Sequence, residues 1–355
     1  MIRPEFWQGR RVFITGHTGF MGGWLSSLLL ECGAEVFGYA LAPPTDPSFF
    51  NATGLESRLA SHIIGDVRNA AALEKAVKSA RADIIFHLAA QPLVRFAHHN
   101  PQQTFDTNIM GTVNLLEAVR ACTAVAATLV VTTDKVYRNV GTHTPYVEDD
   151  PLGGKEPYSS SKAATELVLD AYRHSYFEGK GLAAIRAGNI FGGGDWAAER
   201  LVPDAIRGFT GGDPLSLRNP ASTRPWQHVL DPLPGYLTLA ENLYEYPQHY
   251  SCGWNFGPEL ADCKSVSELS RLLKSAWGDG VEINIEPGDG VFEEKFLSLD
   301  SGKAKADLGW NPSWSLEEAV NHAVAWYKCH YGGDRNALWS LTRAQCQKIL
   351  KDTAR

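Results

Sequence analysis

A tyrosine and a lysine four positions apart form the pair of side chains whose spacing most directly suggests chemistry. The segment from Tyr158 to Lys162 reads YSSSK at the start of a long helical pattern, so both residues share one helix face. An ammonium beside a phenol favours the phenolate, which lowers the pKa of the tyrosine and creates a base for a sugar hydroxyl. A solvent-exposed pair without a catalytic role is the alternative, because this spacing also arises by chance.

A glycine-rich turn near the start of the chain predicts a phosphate-binding site. Residues 16–22 read GHTGFMG and lie between a short apolar strand and a helix. Glycines permit a tight turn and a close approach of pyrophosphate, while the helix start offers free amides and the positive end of the helix dipole. We therefore expect a bound dinucleotide, although a purely structural turn is the alternative. The predicted contacts within this turn are Gly16, Thr18, Gly19, Phe20, Met21 and Gly22.

Two further positions bear on which dinucleotide binds. Asp66 ends the third predicted strand, where a carboxylate can accept a hydrogen bond from an adenine amino group; capping of the next helix is the alternative. The acidic residue that usually binds the adenosine ribose is missing, because residues 39–42 read YALA. No arginine stands there to favour a 2′-phosphate, although Arg58 could reach. The residues alone leave NAD and NADP open, and they predict weak retention of the cofactor.

The elements that position these motifs alternate between strands and helices. Strands are predicted at residues 11–15, 34–40, 63–65, 83–88, 128–132 and 182–186. Helices are predicted at residues 24–32, 70–80, 104–122 and 158–176. This alternation predicts an α/β fold, with a Rossmann-type, doubly wound parallel sheet covered by helices on both faces.

The pattern changes after residue 188, where glycine, proline and tryptophan become frequent and the strands shorten. Helices such as the one predicted at 265–277 stand between long loops there. We therefore expect residues 1–188 to form an NAD-binding or NADP-binding Rossmann domain. Residues 189–355 are expected to form mainly a smaller C-terminal α/β substrate lobe, with segments that return to the first domain.

Composition restricts the kinds of partner. The net charge is −7 and no basic run occurs, which disfavours nucleic-acid binding. No apolar stretch approaches the ~20 residues that cross a bilayer, so no membrane association is expected. The six cysteines form no CxxC pair, which favours reduced thiols in a cytoplasmic protein. The eleven histidines show no HxH or HExxH spacing, so no metal site is expected.

Taken together, these motifs resemble the extended short-chain dehydrogenase/reductase family from Arg11 to about Tyr327. The segments that carry the resemblance are residues 16–22, 65–66, 87–91, 107–108, 132–134, 158–162 and 186–189. The resemblance implies NAD as the cofactor, with Ala89 and Ala90 beside its backbone, and an Asn108 that supports the active-site framework. It also implies cofactor contacts from Val67, Leu88, Ala89, Ala90, Gln91, Asn108, Tyr158 and Lys162.

Three residues at the end of the fifth strand narrow the implied reaction. Thr133, Asp134 and Lys135 stand where sugar-nucleotide 4,6-dehydratases carry threonine, aspartate and glutamate, whereas epimerases and reductases usually carry serine and small residues. The threonine-aspartate-lysine order is similar to the CDP-glucose 4,6-dehydratase branch. That likeness implies oxidation of CDP-D-glucose at C4, loss of water across C5 and C6, and hydride return to C6, which yields CDP-4-keto-6-deoxy-D-glucose. A nucleotide-sugar 4-epimerase, another NDP-glucose 4,6-dehydratase and a non-catalytic dinucleotide sensor are the alternatives.

The implied chemistry needs an acid and a base besides Tyr158. Asp134 is the expected acid at C6, which requires that it be held protonated, although a cap of the loop is the alternative. Lys135 is the expected base at C5, because a desolvated lysine beside another cation can be neutral. In the alternative, Lys135 orients Asp134 or the substrate while Tyr158 or another group moves the C5 proton.

The second lobe is expected to hold the nucleotide diphosphate. The family's counterpart of Arg224 binds a phosphate, which suits a bidentate guanidinium, although a surface ion pair is the alternative. Asp231 is expected to start the following helix rather than touch the substrate.

The resemblance further implies a homodimer formed through the helices at 104–122 and 158–176, and a role in deoxysugar synthesis for lipopolysaccharide O-antigen. The expected substrate contacts are Arg95, Asn189, Arg218, Arg224 and Glu294.

Overall fold

The structure is a computed structural model that describes residues 2–141, 144–217, 219–278, 282–285 and 297–353. Its strands, in chain order, are β1 (Arg11–Thr15), β2 (Glu35–Ala40), β3 (Ser61–Ile64), β4 (Ile84–His87), β5 (Ala127–Val131), β6 (Gly181–Ala187), β7 (Asn189–Phe191), β8 (Leu215–Leu217), β9 (Thr223–His228), β10 (Gly253–Phe256), β11 (Cys263–Ser265) and β12 (Ile283–Ile285). Its helices are α1 (Pro4–Trp7), α2 (Phe20–Glu31), α3 (Phe49–Thr53), α4 (Ala70–Ala80), α5 (Val94–His99), α6 (Pro101–Phe105), α7 (Gly111–Arg120), α8 (Pro157–Tyr176), α9 (Leu201–Gly211), α10 (Leu233–Glu245), α11 (Pro247–Tyr250), α12 (Val266–Trp277), α13 (Gly302–Leu308), α14 (Leu316–Tyr331) and α15 (Arg335–Asp352).

A parallel sheet forms the centre of the molecule. Among the described residues, seven strands pair in the order β10-β6-β5-β4-β1-β2-β3, and each neighbouring pair is parallel. β4 and β6 are buried along their whole length, as expected for a parallel sheet that helices cover on both faces. The predicted Rossmann-type, doubly wound sheet is therefore confirmed.

Alternate residues of the strands contribute to two separate cores. Val12 and Ile14 of β1 belong to the core beneath α2, α10 and α14, whereas Phe13 belongs to the core beneath α4, α7 and α8. The alternation follows because successive side chains of a strand point to opposite faces of the sheet. Burial on both faces fixes the register of the strands, and with it the loops at their carboxyl ends.

Two helix boundaries differ from the prediction. α2 begins at Phe20 rather than at residue 24, since Gly19 at the end of the glycine turn is its N-cap. The helix predicted from residue 104 begins at Pro101, and a π turn at Asp106–Met110 joins α6 to α7. Asn108 lies in this turn, so a local widening of the helix occurs at a predicted site residue.

The second half of the chain packs closely on the central sheet. β10 pairs with β6 as an outer strand, and α10 packs against β5 and β6. α15 packs against α2 and α3, where Arg343 forms an ion pair with Glu31. Beside the central sheet, β7, β9 and β11 form a small sheet and β8 pairs with β12.

Neither a membrane-spanning helix nor a metal-binding cluster occurs in the described part of the chain. Within these ranges, every helix is too short or too polar to cross a lipid bilayer. The same residues contain no group of three or more histidine, cysteine, aspartate or glutamate side chains that could hold a metal ion. The six cysteines are free thiols.

Candidate active site

The glycine turn and the loop after β4 meet at the carboxyl edge of the sheet, and we call residues 16–22 and 88–91 the cofactor cradle. Gly16 has a φ of +81°, and a Cβ there would lie 2.8 Å from the amide nitrogen of Ala89. A Cβ on Gly22 would lie 2.2 Å from the carbonyl oxygen of Gly16. The backbones therefore approach one another in a space that side chains would fill, which fits a bound pyrophosphate.

The start of α2 completes the phosphate side of the cradle. Gly19 caps the helix, and Phe20 and Met21 form its first turn, so their amides have no partner within the helix. The Thr18 hydroxyl donates to the carbonyl oxygen of Leu41 over 2.8 Å and ties the turn to the end of β2. The predicted contacts of the glycine turn thus lie together around one space.

A buried asparagine links the cradle to α8. Asn108 Nδ2 donates to the carbonyl oxygen of Gln91 over 3.1 Å and to the hydroxyl of Ser161 over 2.8 Å, while its Oδ1 accepts from the Gln91 amide over 2.8 Å. The Ala89 amide donates to the hydroxyl of Thr15 over 3.2 Å. Asn108 therefore supports the loop and the helix at once, as the resemblance implies.

Asp66 is held in place by a neighbouring arginine. Arg68 donates to its carboxylate from Nε, over 3.1 and 3.0 Å, and from its backbone amide over 2.9 Å. This contact lowers the pKa of Asp66, so the carboxylate stays charged. The helix-cap alternative is wrong, because Asn69 caps α4 by accepting from the amide of Ala72. Val67, beside Asp66, is buried.

The end of β2 carries no charged group. Leu41 is 59% exposed there, and Ala40 before it is buried. The Arg58 guanidinium lies over the Trp339 ring of α15, 4.2 Å from the ring centroid. This contact would have to break before Arg58 could reach a 2′-phosphate, so the arrangement favours NAD over NADP.

The residues predicted as catalytic lie together between the end of β5 and the first turns of α8. We call this group the catalytic cluster, and its members are Thr133, Asp134, Lys135, Tyr158 and Lys162. Its members are buried except for Lys135, whose side chain is 34% exposed. The alternative of a solvent-exposed Tyr158–Lys162 pair is therefore wrong.

Capping and burial set the position and charge of Lys162. α8 begins at Pro157 because the Glu156 carboxylate caps it, accepting from the Tyr158 amide over 2.7 Å. Lys162 Nζ donates to the carbonyl oxygen of Val131 over 2.9 Å. Burial lowers the pKa of Lys162 to about 8, and Glu166 opposes this effect. Lys162 can therefore gain or lose its charge near neutral pH.

The pKa of Tyr158 departs from the expected direction. Burial raises this pKa, and Lys135, a hydrogen bond with Thr133 and Arg200 oppose the rise only in part. The expectation that Lys162 gives Tyr158 a lowered pKa is therefore wrong. The reason is that desolvation of the phenolate outweighs the nearby cations.

The two carboxylate oxygens of the fully buried Asp134 have different surroundings. Oδ1 accepts from the Thr133 hydroxyl over 3.0 Å and from Lys135 Nζ over 3.1 Å. Oδ2 has no hydrogen-bond partner among the described residues, and it would lie 3.3 Å from a Cβ on Gly188. Because a buried oxygen without a donor is costly, Oδ2 is the atom expected to meet a ligand hydroxyl.

The pKa of Lys135 is raised, so this side chain is charged, contrary to expectation. Burial lowers the pKa of Lys135, but Asp134 and Tyr158 outweigh burial, and the net direction is upward. The carboxylate of Asp134, 3.1 Å away, stabilises the ammonium. Arg224 lowers the pKa of Lys135, as a second cation was expected to do. This effect is smaller than the rise that Asp134 causes.

The structure describes three of the five predicted substrate contacts, Asn189, Arg224 and Arg95. Asn189 Oδ1 is buried and has no hydrogen-bond partner within the described ranges. Arg224 is near enough to Lys135 to affect its pKa, and its Nη1 donates to the preceding carbonyl oxygen over 2.9 Å. Arg95 pairs with Glu199 over 3.5 Å. Two predicted contacts lie outside the described residues, namely Arg218 and Glu294.

The loop between β7 and α9 adds a cation that the sequence analysis missed. Arg200 is close enough to Tyr158 to lower the pKa of the phenol. It pairs with the almost fully buried Asp195 over 2.9 Å. The loop has no periodic pattern and no motif, so no signal in the sequence marked either residue.

Asp231 does not start α10, which corrects the expectation from the sequence. α10 begins without a side-chain cap, whereas the buried Asp231 carboxylate accepts from the amides of Ser313 and Trp314 over 2.7 and 3.4 Å. Gln227 Nε2 donates to it over 3.1 Å. Burial raises the pKa of Asp231 to about 6. Asp231 thus connects the end of β9 to the segment before α14.

Comparison with known proteins agrees with the resemblance that the motifs suggest. The model of the GDP-mannose 4,6 dehydratase family matches residues 13–323. A CDP-glucose 4,6-dehydratase of Salmonella typhimurium is 45% identical over 341 residues, which cover 94% of this chain and 95% of the relative. This agreement confirms the family expected from the sequence.

Solved structures show the same architecture. A dTDP-glucose 4,6-dehydratase of Streptomyces venezuelae, crystallised with NAD, has a TM-score of 0.76 and 25% identity over 92% of this chain and 100% of its own. A UDP-glucose 4-epimerase of Thermotoga maritima has a TM-score of 0.78 at 23% identity over 89% of this chain and 98% of its own, which shows the fold. With its glycine turn, its catalytic cluster and these matches, the chain belongs to the GDP-mannose 4,6 dehydratase family of extended short-chain dehydrogenases/reductases.

Proposed function

We propose that this protein is an NAD-dependent CDP-glucose 4,6-dehydratase, a hydro-lyase that converts CDP-D-glucose to CDP-4-keto-6-deoxy-D-glucose and water. The observation that carries the proposal is a buried Asp134 that pairs with Lys135 beside Tyr158. A 4-epimerase needs only oxidation and reduction at C4, so it has no use for an acid aimed at C6. The relative from Salmonella, with 45% identity, supports the same substrate.

The cofactor cradle suits NAD. Its glycines leave a space that a Cβ would fill, and the free amides at the start of α2 suit a pyrophosphate. Asp66 is proposed to accept from the adenine amino group, and the Lys162 ammonium to donate to ribose hydroxyls. When bound, NAD would accept hydrogen from C4 and return it at C6, so it is not consumed.

Tyr158 is the proposed base for the C4 hydroxyl proton. Lys135 and Arg200 stabilise the phenolate that this role needs, against the net rise in the pKa of Tyr158 that burial causes. The Thr133 hydroxyl donates to Asp134 and also shares a hydrogen bond with Tyr158. The C4 hydroxyl loses one proton and the departing C6 hydroxyl gains one, so Tyr158 and Asp134 together balance the protons of the reaction.

A proton transfer within the Lys135–Asp134 pair would create both the acid and the base. The ammonium Nζ lies 3.1 Å from Oδ1, and moving one proton gives a neutral amine and a carboxylic acid with no change in net charge. A bound sugar would exclude water, which disfavours the two separate charges and favours the neutral form of the pair. The amine then takes the C5 proton, and the acid protonates the C6 hydroxyl as it leaves. When hydride is added at C6, the Lys135 ammonium returns a proton to C5.

The expected substrate contacts are part of this proposal. Arg224 is near Lys135, so a diphosphate bound to its guanidinium would bring the attached sugar to the catalytic cluster. The buried Oδ1 of Asn189 is proposed to accept from a sugar hydroxyl. The nucleotide pocket is proposed to be completed by Arg95, Arg218 and Glu294.

Incubation of the purified protein with CDP-glucose and NAD tests the function. We expect a 4-keto-6-deoxy sugar, identified by NMR, and far less product from UDP-, dTDP- or GDP-glucose. Formation of CDP-galactose would support the epimerase instead. Binding of NAD without turnover of any nucleotide sugar would support the non-catalytic sensor.

Two variants test the roles within the Lys135–Asp134 pair. Asp134→Asn should stall after oxidation, so reduced nicotinamide should accumulate and absorb at ~340 nm. Lys135→Met should stop the exchange of the C5 hydrogen with deuterated water. Exchange at the wild-type rate in that variant would assign the C5 proton to another group.

We also propose a homodimer that works in the cytoplasm and supplies deoxysugar synthesis for lipopolysaccharide O-antigen. Four large apolar side chains are exposed along α6, the π turn and α8, namely Phe105, Met110, Leu167 and Tyr176. Such an apolar patch suits pairing with a second copy of the chain. The six free thiols suit a reducing compartment. Sedimentation should show a dimer that Leu167→Glu weakens, whereas a monomeric wild type would contradict the pairing.

A further inference from the structure

A buried ion pair between α8 and β6 lies beneath the catalytic cluster. Arg186 donates to the Glu166 carboxylate from Nε to Oε1 over 2.9 Å and from Nη2 to Oε2 over 2.8 Å. The two side chains are only 6% and 3% exposed. A buried ion pair often adds little net stability, because the loss of water offsets the attraction, and the contacts of this pair indicate another role.

The pair holds both ends of the short turn at residues 133–136. On one side, the Thr132 hydroxyl donates to Glu166 Oε1 over 2.7 Å, and Thr132 directly precedes the turn. On the other side, Arg186 Nη1 donates to Tyr137 Oη over 2.7 Å, and Tyr137 directly follows the turn. A shift of either charged partner would therefore displace the turn that carries three members of the catalytic cluster.

Glu166 also faces Lys162, one helical turn earlier on α8. Burial lowers the pKa of Lys162 to about 8, and the Glu166 carboxylate opposes that effect. His87 at the end of β4 faces Lys162 too, but burial and Lys162 lower the pKa of His87 to about 3, so it is neutral. Glu166 is therefore the carboxylate that favours the charged form of Lys162 at neutral pH.

We propose that Glu166, anchored by Arg186, is a positioning residue of the reaction: it fixes the turn at 133–136 through Thr132 and places a carboxylate one helical turn from Lys162. It acts through these neighbours and is not itself a catalytic residue. Its effect on turnover rests on the proposed function, whereas its effect on Lys162 concerns cofactor binding alone.

Two variants separate the two effects. Glu166→Gln keeps an oxygen that can accept from the Thr132 hydroxyl but removes the negative charge near Lys162. Thr132→Val removes the hydrogen bond to Glu166 and leaves the ion pair in place. Glu241→Gln is the matched control, because Glu241 is also buried and also pairs with an arginine, Arg3, on a different face of the sheet.

The first readout is NAD affinity as a function of pH, measured by calorimetry without a sugar nucleotide. Wild-type affinity should fall as the pH rises past about 8, where Lys162 loses its proton. In Glu166→Gln the pH at which half of this affinity change has occurred should move lower by about one pH unit. In Thr132→Val and Glu241→Gln this midpoint should stay in place. An unchanged midpoint in folded Glu166→Gln would overturn the effect on Lys162, whatever the substrate of the enzyme is.

The second readout is the split between kcat and KM with CDP-glucose. Thr132→Val should lower kcat by about tenfold or more while KM changes by less than about threefold, since a displaced turn misplaces the reacting groups. Wild-type kcat in Thr132→Val would overturn the positioning of the turn, and this holds even if Glu166→Gln does not fold. A wild-type protein without activity on CDP-glucose would instead contradict the proposed function.

Discussion

The cofactor cradle and the catalytic cluster lie side by side at one edge of the sheet, yet they are built in opposite ways. The cradle consists of backbone atoms and small residues, and its shape depends on space that a Cβ would fill, as at Gly16 and Gly22. The cluster consists of polar side chains buried together, and its properties depend on contacts such as that between Lys135 and Asp134.

This difference implies that binding and chemistry can be changed separately. A steric change in the cradle should alter cofactor affinity without removing a proton-transfer group. A chemical change in the cluster should alter turnover while the cradle keeps its shape. Lys162 is the point where the two regions meet, because it belongs to the cluster and is proposed to bind the cofactor ribose.

The largest effect is expected for Tyr158→Phe in the catalytic cluster. Loss of the proposed base should lower kcat by about 100-fold or more, whereas NAD affinity, measured by calorimetry, should change by less than about threefold. Tyr172→Phe is the control on the same helix, since its hydroxyl donates to Glu117 away from the site. A Tyr158→Phe protein that no longer binds NAD would break the division between the two regions.

The next largest effect is expected for Gly22→Ala in the cofactor cradle. The new Cβ would lie 2.2 Å from the Gly16 oxygen, so the turn must shift. NAD affinity should fall by about tenfold or more, while kcat at saturating NAD should stay close to wild type. Gly19→Ala is the milder control, because its Cβ would lie 3.3 Å from the same oxygen. A loss of kcat as large as that of Tyr158→Phe would contradict the comparison.

The sequence predicted the cradle better than the cluster for a physical reason. The spacing of glycines determines a local turn, and the alternation of strands and helices determines a parallel sheet, so both depend on neighbouring residues. The charge states of the cluster depend on distances between separate segments. The expectations for the pKa of Tyr158 and for a neutral Lys135 were wrong because burial and the Asp134 carboxylate outweigh the contacts that the sequence displays.

Two further residues show which signals the sequence does and does not contain. Glu166 stands four residues after Lys162, a spacing that places both on one helix face, so helical periodicity could have found it. Arg200 lies in a loop without periodicity, and only the fold brings it near Tyr158. The early start of α2 was missed because glycines disfavour a helix by propensity, although Gly19 serves here as the cap.

A smaller effect, in the opposite direction, is expected for Leu41→Asp at the adenosine end of the cradle. An exposed carboxylate at the end of β2 could bind the ribose hydroxyls, and one charge-assisted hydrogen bond is worth ~1.5–3 kcal/mol. NAD affinity should therefore rise by about tenfold, and the fraction of purified protein that retains NAD should rise with it. Ala40→Asp is the contrast, because Ala40 is buried and a carboxylate there should destabilise the fold. A wild-type protein already saturated with NAD after dialysis would contradict the weak retention.

The smallest effect on activity is expected outside both regions, at Asp231. Burial raises its pKa from 3.8 to about 6, so the folded state binds this proton more tightly than the unfolded state does. The resulting stabilisation is fully present below about pH 4 and is lost as the pH rises through about 6. Across that interval the free energy of unfolding of the wild type should fall, relative to Asp231→Asn, by at most about 3 kcal/mol.

Denaturant unfolding at a series of pH values measures this difference for Asp231. Gln227 Oε1 has no hydrogen-bond partner among the described residues, so it is available to accept from the side-chain amide of the variant or from a protonated carboxyl in the wild type. The kcat of Asp231→Asn should remain near wild type, because the residue lies outside the cradle and the cluster. Parallel stability curves for the two proteins would contradict the raised pKa.

Because β10 returns to the central sheet, the chain cannot complete that sheet until late in its synthesis. Between the end of β6 at Ala187 and the start of β10 at Gly253 lie 65 residues, and these must be translated first. At ~5–20 residues per second, the outer edge of β6 stays unpaired on the ribosome for roughly 3 to 13 s. An open strand edge invites pairing with other chains, so nascent chains that stop before Gly253 should aggregate unless a chaperone covers that edge.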